Sequence, residues 1–440
     1  MHDIKEYLNI IGNFYYETDG VKYEFLGTLV ESGDETNDVI LRARIKATDI
    51  RAYDKTSLNL YGTINNQKFS LLNSHFNSYT GILEADYINA IAVLDQIVIG
   101  AYYVETMCIH GVSTNISSLN YFYMQHIPRF CERRIDDEFL ANNPPLTADT
   151  KYGKVLLQPR LSGESTFHQL TLKSVPTMAY SFYEPKSLAS AIRHIAALRN
   201  LFSFFADGYI TFDTLVYTGD TDTIPELSCD NATVHLTHGD SIQEVNAPFL
   251  LTYNSIKNDF QTIVEKWLDF YENSIYIPTL FFEIITNRSR GVNQFLNLAQ
   301  AIEIYSTYFR NDEAKAIRNA DPEANKKREP ILKHRLTDVF SFLQDILEIN
   351  DVEREGLAQE ISNSRNFYTH YNKSRDEPSY RTVSRMTVLL RFVVLALVYK
   401  HIGVNDQAIL SCKRKSIYST MDESIRIILS HECQTKDVWN

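Results

Sequence analysis

The features that most quickly assign a function are missing from this chain of 440 residues. Its five cysteines, Cys108, Cys131, Cys229, Cys412 and Cys433, are scattered, with no Cys-x-x-Cys pair and no dense, even-numbered framework. A disulfide scaffold is thereby excluded, and free thiols in a reducing cytoplasm are the expectation. There is no P-loop, no glycine-rich dinucleotide turn and no Gly-x-Ser-x-Gly elbow, so nucleotide-hydrolysing, Rossmann-type redox and α/β-hydrolase chemistry lack their signatures. Only 16 glycines and 12 prolines occur, without low-complexity tracts or repeats, which argues against long disordered segments and against a solenoid. The opening MHDIKEYLNIIGNFYYE carries no basic stretch followed by an apolar one and does not read as a secretory leader. The most apolar run, Val388 to Tyr399, is broken by Arg391 and falls short of the roughly 20 residues a bilayer requires. It reads as a buried bundle helix, and the expectation is a cytoplasmic protein without a membrane partner.

What is present points to two or three folded domains, because a chain this long outgrows a single core. The net charge of −12 is unevenly spread: residues 281–440 hold 23 Lys+Arg against 21 Asp+Glu, leaving 20 against 34 for residues 1–280. The acidity therefore lies wholly in the N-terminal part. The C-terminal part has basic clusters at 326–328, Lys333/Arg335, Arg375/Arg381/Arg385 and 413–415, a distribution that permits contact with RNA and is also met on ordinary solvated surfaces.

From Tyr23 to about Tyr103, short β-rich stretches alternate with polar turns: YEFLGTLV, DVILRARI, LNLYGTI, KFSLL, GILEADYI and AVLDQIVIGAYYV. Period-two alternation at this spacing predicts an antiparallel sandwich or barrel-like sheet. Further strands are expected at VLLQPRL, FHQLTL, YITFDTLVY and TVHLTH. One helix, 185–206, is predicted to start at Glu184-Pro185 and to pack on the sheet, with Asp207-Gly208 ending it. After about Pro248 the period becomes helical, with segments at 256–271, 292–310, 330–349, 352–372, 380–402 and 416–432. The polar stretch 312–329 reads as a mobile loop. The expected fold is α+β: a β-rich region over 1–250, a helical connector over 251–290 and an all-α bundle over 291–440.

Within the bundle, Arg365-Asn366-Phe367-Tyr368-Thr369-His370 stands out. Spacing alone does not select it, since 23 arginines and 12 histidines give about two Arg-to-His offsets of four to six residues by chance. Three occur, at Arg328/His334, Arg365/His370 and Arg426/His431. Helical geometry separates them. In 352–372 the apolar or small stripe is Leu357, Ile361, Ser364, Tyr368 and Tyr371, and Asn366 and His370 fall opposite it as i, i+4 neighbours. Arg365 lies about 140° from His370 around the axis, so one helix does not aim both at one phosphate, whereas two helices about a twofold axis can. The plain alternative is a surface histidine on a solvated helix.

ISNSRNFYTHYN resembles the signature of the HEPN superfamily, an Arg beside a polar residue with a His further along one bundle helix. FLNLAQAIEIY and VLLRFVVLALVYKHIGV look like the first and last helices of the ApeA-like HEPN domain. Upstream, FLGTLV, KFSLLN, IGAYY and PFLLTYNSIKNDFQTIVEKWLDFYE are similar to the N-terminal region of ApeA anti-phage proteins. The resemblance implies a homodimeric, metal-independent endoribonuclease of abortive infection. Such an enzyme would cleave tRNA or other cellular RNA by 2′-OH attack, giving a 2′,3′-cyclic phosphate and a 5′-hydroxyl. It gives catalytic roles to Arg365, Asn366 and His370. Glu303, in the first-helix stretch, is a supporting candidate that could pair with Arg365 or the imidazole. Lys373 and Arg375 are candidate contacts to the RNA backbone, no metal or cofactor is implied, and a phage-derived trigger is expected.

Two rival readings stay open: a non-catalytic HEPN module that only binds RNA or protein, and a small-ligand or glycan site in the β-rich region. His235-x-x-His238-x-Asp240 makes a poor metal site, because neighbouring strand positions face opposite sides. His431-x-Cys433 lacks a second pair of ligands.

Overall fold

The computed structural model describes residues 3–32, 38–53, 57–80, 86–123, 143–159, 161–166, 169–220, 229–236, 249–286, 288–321, 329–370 and 378–430. Two compact units form, and neither is one continuous segment. The first comprises Met1–Asn120, Pro128–Arg199 and Thr211–Glu244, the second Tyr121–Ile127, Asn200–Ile210 and Val245–Asn440.

The first unit is built on antiparallel strands. β1 (Ile11–Thr18), β2 (Val21–Glu31), β3 (Val39–Lys46), β4 (Leu58–Ile64), β5 (Gln67–Thr80) and β6 (Tyr87–Val93) run in the order β4-β1-β2-β3-β6-β5. A further β4–β5 ladder closes them into a barrel. Alternation in the sequence sets the two faces. In VILRARIK the residues Val39, Leu41, Ala43 and Ile45 are buried and Arg42, Arg44 and Lys46 are exposed, as the two-residue strand period requires. Phe14, Leu29, Leu41, Leu60 and Phe69 fill the interior, each buried apolar side chain contributing about 1.5–3 kcal/mol. Asp19-Gly20 and Asn65-Asn66 have positive φ at both positions, the two-residue turns whose twist suits right-twisted hairpins. From β5 the sheet continues through β7 (Gln96–Ile99), Cys229–Leu236, Thr214–Asp220, Cys108–Asn115, Thr177–Lys186, Gly153–Gln158 and Leu146–Thr150.

The helix expected from Pro185 begins later, as α1 (Leu188–Ala206). Pro185 instead lies at the end of the strand Thr177–Lys186, where a missing N–H costs little. The Ser187 hydroxyl accepts from the Ser190 amide at 3.3 Å and opens the helix. Through His194, which meets the rings of Tyr152, Tyr180 and Phe182, α1 packs on the sheet. Residues up to Arg199 belong to the first unit and those from Asn200 to the second.

The second unit is helical: α2 (Phe260–Asn273), α3 (Tyr276–Ile285), α4 (Val292–Phe309), α5 (Asn311–Ala320), α6 (Leu332–Phe342), α7 (Asp351–His370), α8 (Tyr380–Ile402), α9 (Asp406–Lys413) and α10 (Met421–Leu429). α4 packs on α3, α6 and α8; α6 packs on α5 and α7; α10 contacts both α7 and α8. The central rod is α8, capped by Ser379, whose hydroxyl accepts from the Thr382 amide at 3.1 Å, and ended by Gly403 at φ 91°. By length and composition α8 could cross a membrane, but most of its apolar residues are buried in the bundle. The polar stretch expected as a loop is helical over Asn311–Ala320, with Asp312 and Glu313 in its first turn, Arg318 in its last and Ala314 buried.

Two of the polar ties among the described residues join helices of this unit through buried carboxylates. Arg310 donates through Nε and Nη2 to the Asp338 carboxylate, both at 2.8 Å, joining the end of α4 to α6. Asp207, just past α1, receives Arg391 of α8 at Oδ1 (2.7 Å) and the Tyr418 hydroxyl at Oδ2 (2.7 Å), while Arg391 Nη2 donates to the Asp207 carbonyl at 2.9 Å. Burial pushes the Asp207 carboxyl up, and Arg391 and Tyr418 pull against that shift. Tyr399 adds a hydrogen bond to the Phe204 carbonyl. α8 is thus tied to the C-terminal end of α1.

Candidate active site on the helical unit

The candidate catalytic residues sit on the last two turns of α7. Asn350 and Glu353 start this helix as a reciprocal cap: the Glu353 amide donates to Asn350 Oδ1 at 3.0 Å and the Asn350 amide to Glu353 Oε2 at 2.9 Å. Leu357, Ala358, Ile361, Ser362 and Ser364 are buried. Asn366 and His370 are exposed, and Arg365 is half-buried between the two faces. The rotational order read from the sequence is therefore the one the helix adopts.

α4 supplies the next part. Arg365 Nη2 lies 3.6 Å from Glu303 Oε2, with the two side chains 31% and 35% exposed. An ion pair this open to solvent is worth only about 0–1 kcal/mol. Its consequence is a bias in position, drawing the guanidinium toward α4. Tyr368 braces the same turn from inside: its ring meets Phe295 of α4 edge-on at 6.5 Å, and its hydroxyl donates to the Pro378 carbonyl at 3.3 Å. Sequence reasoning placed Tyr368 on the apolar stripe but gave it no role in support. The signal was the aromatic pair Phe367-Tyr368 directly after Asn366.

The competing Arg/His pairs have other engagements. His334 is buried; its Nδ1 accepts from the Ile331 amide at 3.3 Å and its Nε2 lies 3.1 Å from Asp321 Oδ2. Arg426 donates to the Asp422 carbonyl of its own helix at 3.3 Å. Arg328, His431, Lys373 and Arg375 lie outside the described residues, as do His238, Asp240 and Cys433. His235 stands on the strand Cys229–Leu236, its imidazole pKa pushed down by burial with Asp3 opposing. Among the described residues, no group of three or more His, Cys, Asp or Glu side chains is placed to hold a metal ion.

Chemically, α7 and α4 offer one oriented guanidinium, one amide and one imidazole at a solvent-facing surface. On an ideal helix Arg365 and His370 are separated by about 7.5 Å of rise and 140° of rotation. The ApeA N-terminal domain 1 profile matches residues 9–267 and the Apea-like HEPN profile matches residues 296–408, which takes in Glu303, Arg365, Asn366 and His370. No match is found among curated proteins or among solved structures. With the first profile alone covering more than half of the chain, this protein belongs to the ApeA family of HEPN-domain anti-phage proteins.

Proposed function

We propose that the chain is a metal-independent endoribonuclease whose catalytic pocket is completed by a second copy of itself. The observation that carries this reading is the Arg365–Glu303 pair, which holds a guanidinium at the same solvent-facing end of α7 as the exposed Asn366 and His370. A twofold arrangement would bring Arg365 of one copy to His370 of the other, which a single helix does not do. In the reaction the ribose 2′-oxygen attacks phosphorus and the bond to the 5′-oxygen breaks. The His370 imidazole takes the 2′ proton and, as the imidazolium so formed, gives a proton to the leaving 5′-oxygen. Arg365 spreads its donors over the phosphate as negative charge builds. Asn366 orients the phosphate or the ring by hydrogen bonding. The products are a 2′,3′-cyclic phosphate and a 5′-hydroxyl, and DNA, lacking the 2′-OH, is inert. The substrate is tRNA or another cellular RNA, and the β-rich unit restrains this activity until infection supplies a trigger.

The test uses the full chain, wild type and His370→Ala, with total tRNA and single-stranded DNA in EDTA. RNA cleavage by the wild type that is lost in the variant supports the reading, and equal cleavage by both proteins or a metal requirement overturns it. Mixing Arg365→Ala with His370→Ala probes the shared pocket. Random pairing leaves half the dimers with one of two pockets intact, so about a quarter of wild-type activity should return. A mixture as inactive as its parts would rule out sharing between copies.

A further inference from the structure

The outward face of the barrel in the first unit bears a cleft of ≈ 620 Å³. Strand register explains what surrounds it. Tyr15 on β1 stands opposite Glu24 on β2, Leu26 on β2 opposite Arg44 on β3, and Lys46 on β3 opposite Tyr87 on β6. Tyr102 joins from the segment after β7 and meets Tyr15 edge-on at 6.4 Å. Rings stand at the two sides of this surface, on β1 and β6, and the cations lie on β2 and β3 between them. Lys22 Nζ lies 4.1 Å from the centre of the Tyr15 ring and 2.7 Å from Glu24, and the Arg44 guanidinium lies 5.0 Å from the centre of the Tyr87 ring.

Tyr–Lys pairs across strands are ordinary on the solvent face of an antiparallel sheet. Three observations go past that. The side chains border a concavity whose volume falls within the roughly 300–1,000 Å³ of small-molecule sites. Leu26 and Tyr87 at the cleft remain 49% and 43% exposed, apolar surface left for something to cover. The cations Lys22, Arg44 and Lys46 face one lining carboxylate, Glu24, in a part of the chain with 20 Lys+Arg against 34 Asp+Glu. A local excess of positive charge within an acidic region acts over about a Debye length, ~8 Å. It attracts a compact anion, while the wider field repels a long polyanion.

We propose that this cleft is a nucleotide site, taking a base against its tyrosine rings and a phosphate group on Lys22, Arg44 and Lys46. The phosphate competes with Glu24 for Lys22 and so replaces the internal counter-charge. An uncharged sugar would leave the three cations without use, and inorganic phosphate would leave the rings uncovered. The site is distinct from the ribonuclease residues, and its test does not depend on them.

Binding is measured by calorimetry on the full chain, with ATP and GTP as probes and adenosine, tripolyphosphate and a single-stranded RNA octamer as controls. At least one nucleotide should bind, adenosine and tripolyphosphate should each bind at least roughly 10-fold more weakly, and Tyr87→Ala and Arg44→Ala should each weaken binding roughly 10-fold. Both substituted side chains face solvent, so an unchanged melting temperature accompanies the loss. No binding of either nucleotide at about 1 mM, equal binding of tripolyphosphate, or affinities untouched by both variants would overturn the proposal. Tighter binding of the octamer through the same two residues would replace the nucleotide with single-stranded RNA.

Discussion

Asp207→Asn should lower the stability of the helical unit by about 2–3 kcal/mol. The native carboxylate is 9% exposed and receives both Arg391 and Tyr418 at 2.7 Å. Asparagine keeps the shape and tolerates the left-handed backbone that Asp207 holds at φ 49°, so the change removes charge without adding strain. Arg391 is left as a cation without its counter-charge, and the amide NH2 is turned toward a donor. Breaking one side of a buried pair costs about 3–5 kcal/mol; Arg391 is 23% exposed, so water recovers part of that. At about 2–4 °C per kcal/mol for a unit of 150–250 residues, the melting temperature followed by circular dichroism should fall by roughly 5–10 °C. The double variant Asp207→Asn/Arg391→Met removes the orphaned cation and should cost less than the sum of its parts by at least about 1 kcal/mol. A shift under about 1 °C, or strict additivity, would show that the tie contributes nothing.

Three further outcomes follow from the same structure. His401 lies among Phe270, Tyr305 and Phe309, and burial, with Lys266 adding to it, pushes its imidazole pKa below the ordinary value. The unfolded chain then takes up the proton first, so stability present above about pH 6.5 is lost as pH falls through that value toward the folded pKa. His401→Leu should shrink the drop in melting temperature between pH 7 and pH 5, and an unchanged drop would assign it to other groups. Burial pushes the Cys412 thiol up to about 12, leaving about one part in 10⁴ as thiolate at pH 8. Iodoacetamide should therefore modify Cys412 only after unfolding, and labelling of the native protein detected by peptide mass spectrometry would contradict the burial. Glu303→Gln should reduce RNA cleavage by no more than about 5-fold at unchanged melting temperature, because losing a pair worth about 0–1 kcal/mol loosens the guanidinium and leaves the imidazole in place. A loss as deep as that of His370→Ala, which general acid–base chemistry sets at about 10²–10⁴-fold, would instead make Glu303 a direct participant.

Much of this architecture was legible in the amino-acid order, for identifiable reasons. Strands such as VILRARIK announced themselves because one barrel face is solvated, and α4 and α8 because their buried apolar residues recur at helical spacing. α3 was not singled out within the helical connector because it is short and Pro278 interrupts YIPTLFFEII; the proline is tolerated because it falls in the first turn. α5 was missed because its residues are mostly polar and its order comes from Ala314 and from the anchoring of Arg310 to Asp338 just before it. Pro185 misled because proline opens helices and ends strands equally well. The outward face of α7 could be read from helical periodicity, whereas the distance from Arg365 to Glu303 depends on how α4 meets α7, which no local pattern encodes. A barrel-like sheet was among the expectations, but the strands that close it were hidden for the same reason: nothing in LNLYGTI names β5 as well as β1 as its neighbour.

The interleaving of the two units has a practical consequence for anyone who wants to take this protein apart. Residues 200–210 come from the middle of the chain, yet Phe204 stacks on Phe281 at 4.4 Å and meets Trp267, and Phe205 meets Tyr399, all within the helical unit. Phe122, encoded earlier still, meets Phe202, Phe249 and Tyr253. A fragment cut from position 245 onward would carry every candidate nuclease residue but would leave Trp267, Phe281 and Tyr399 without Phe204 and Phe205, and Phe249 and Tyr253 without Phe122. Insoluble expression of such a fragment would then report a missing plug rather than a toxic enzyme. Fusing residues 121–127 and 200–210 back onto it, or exchanging whole chains between relatives instead of halves, keeps that aromatic packing complete.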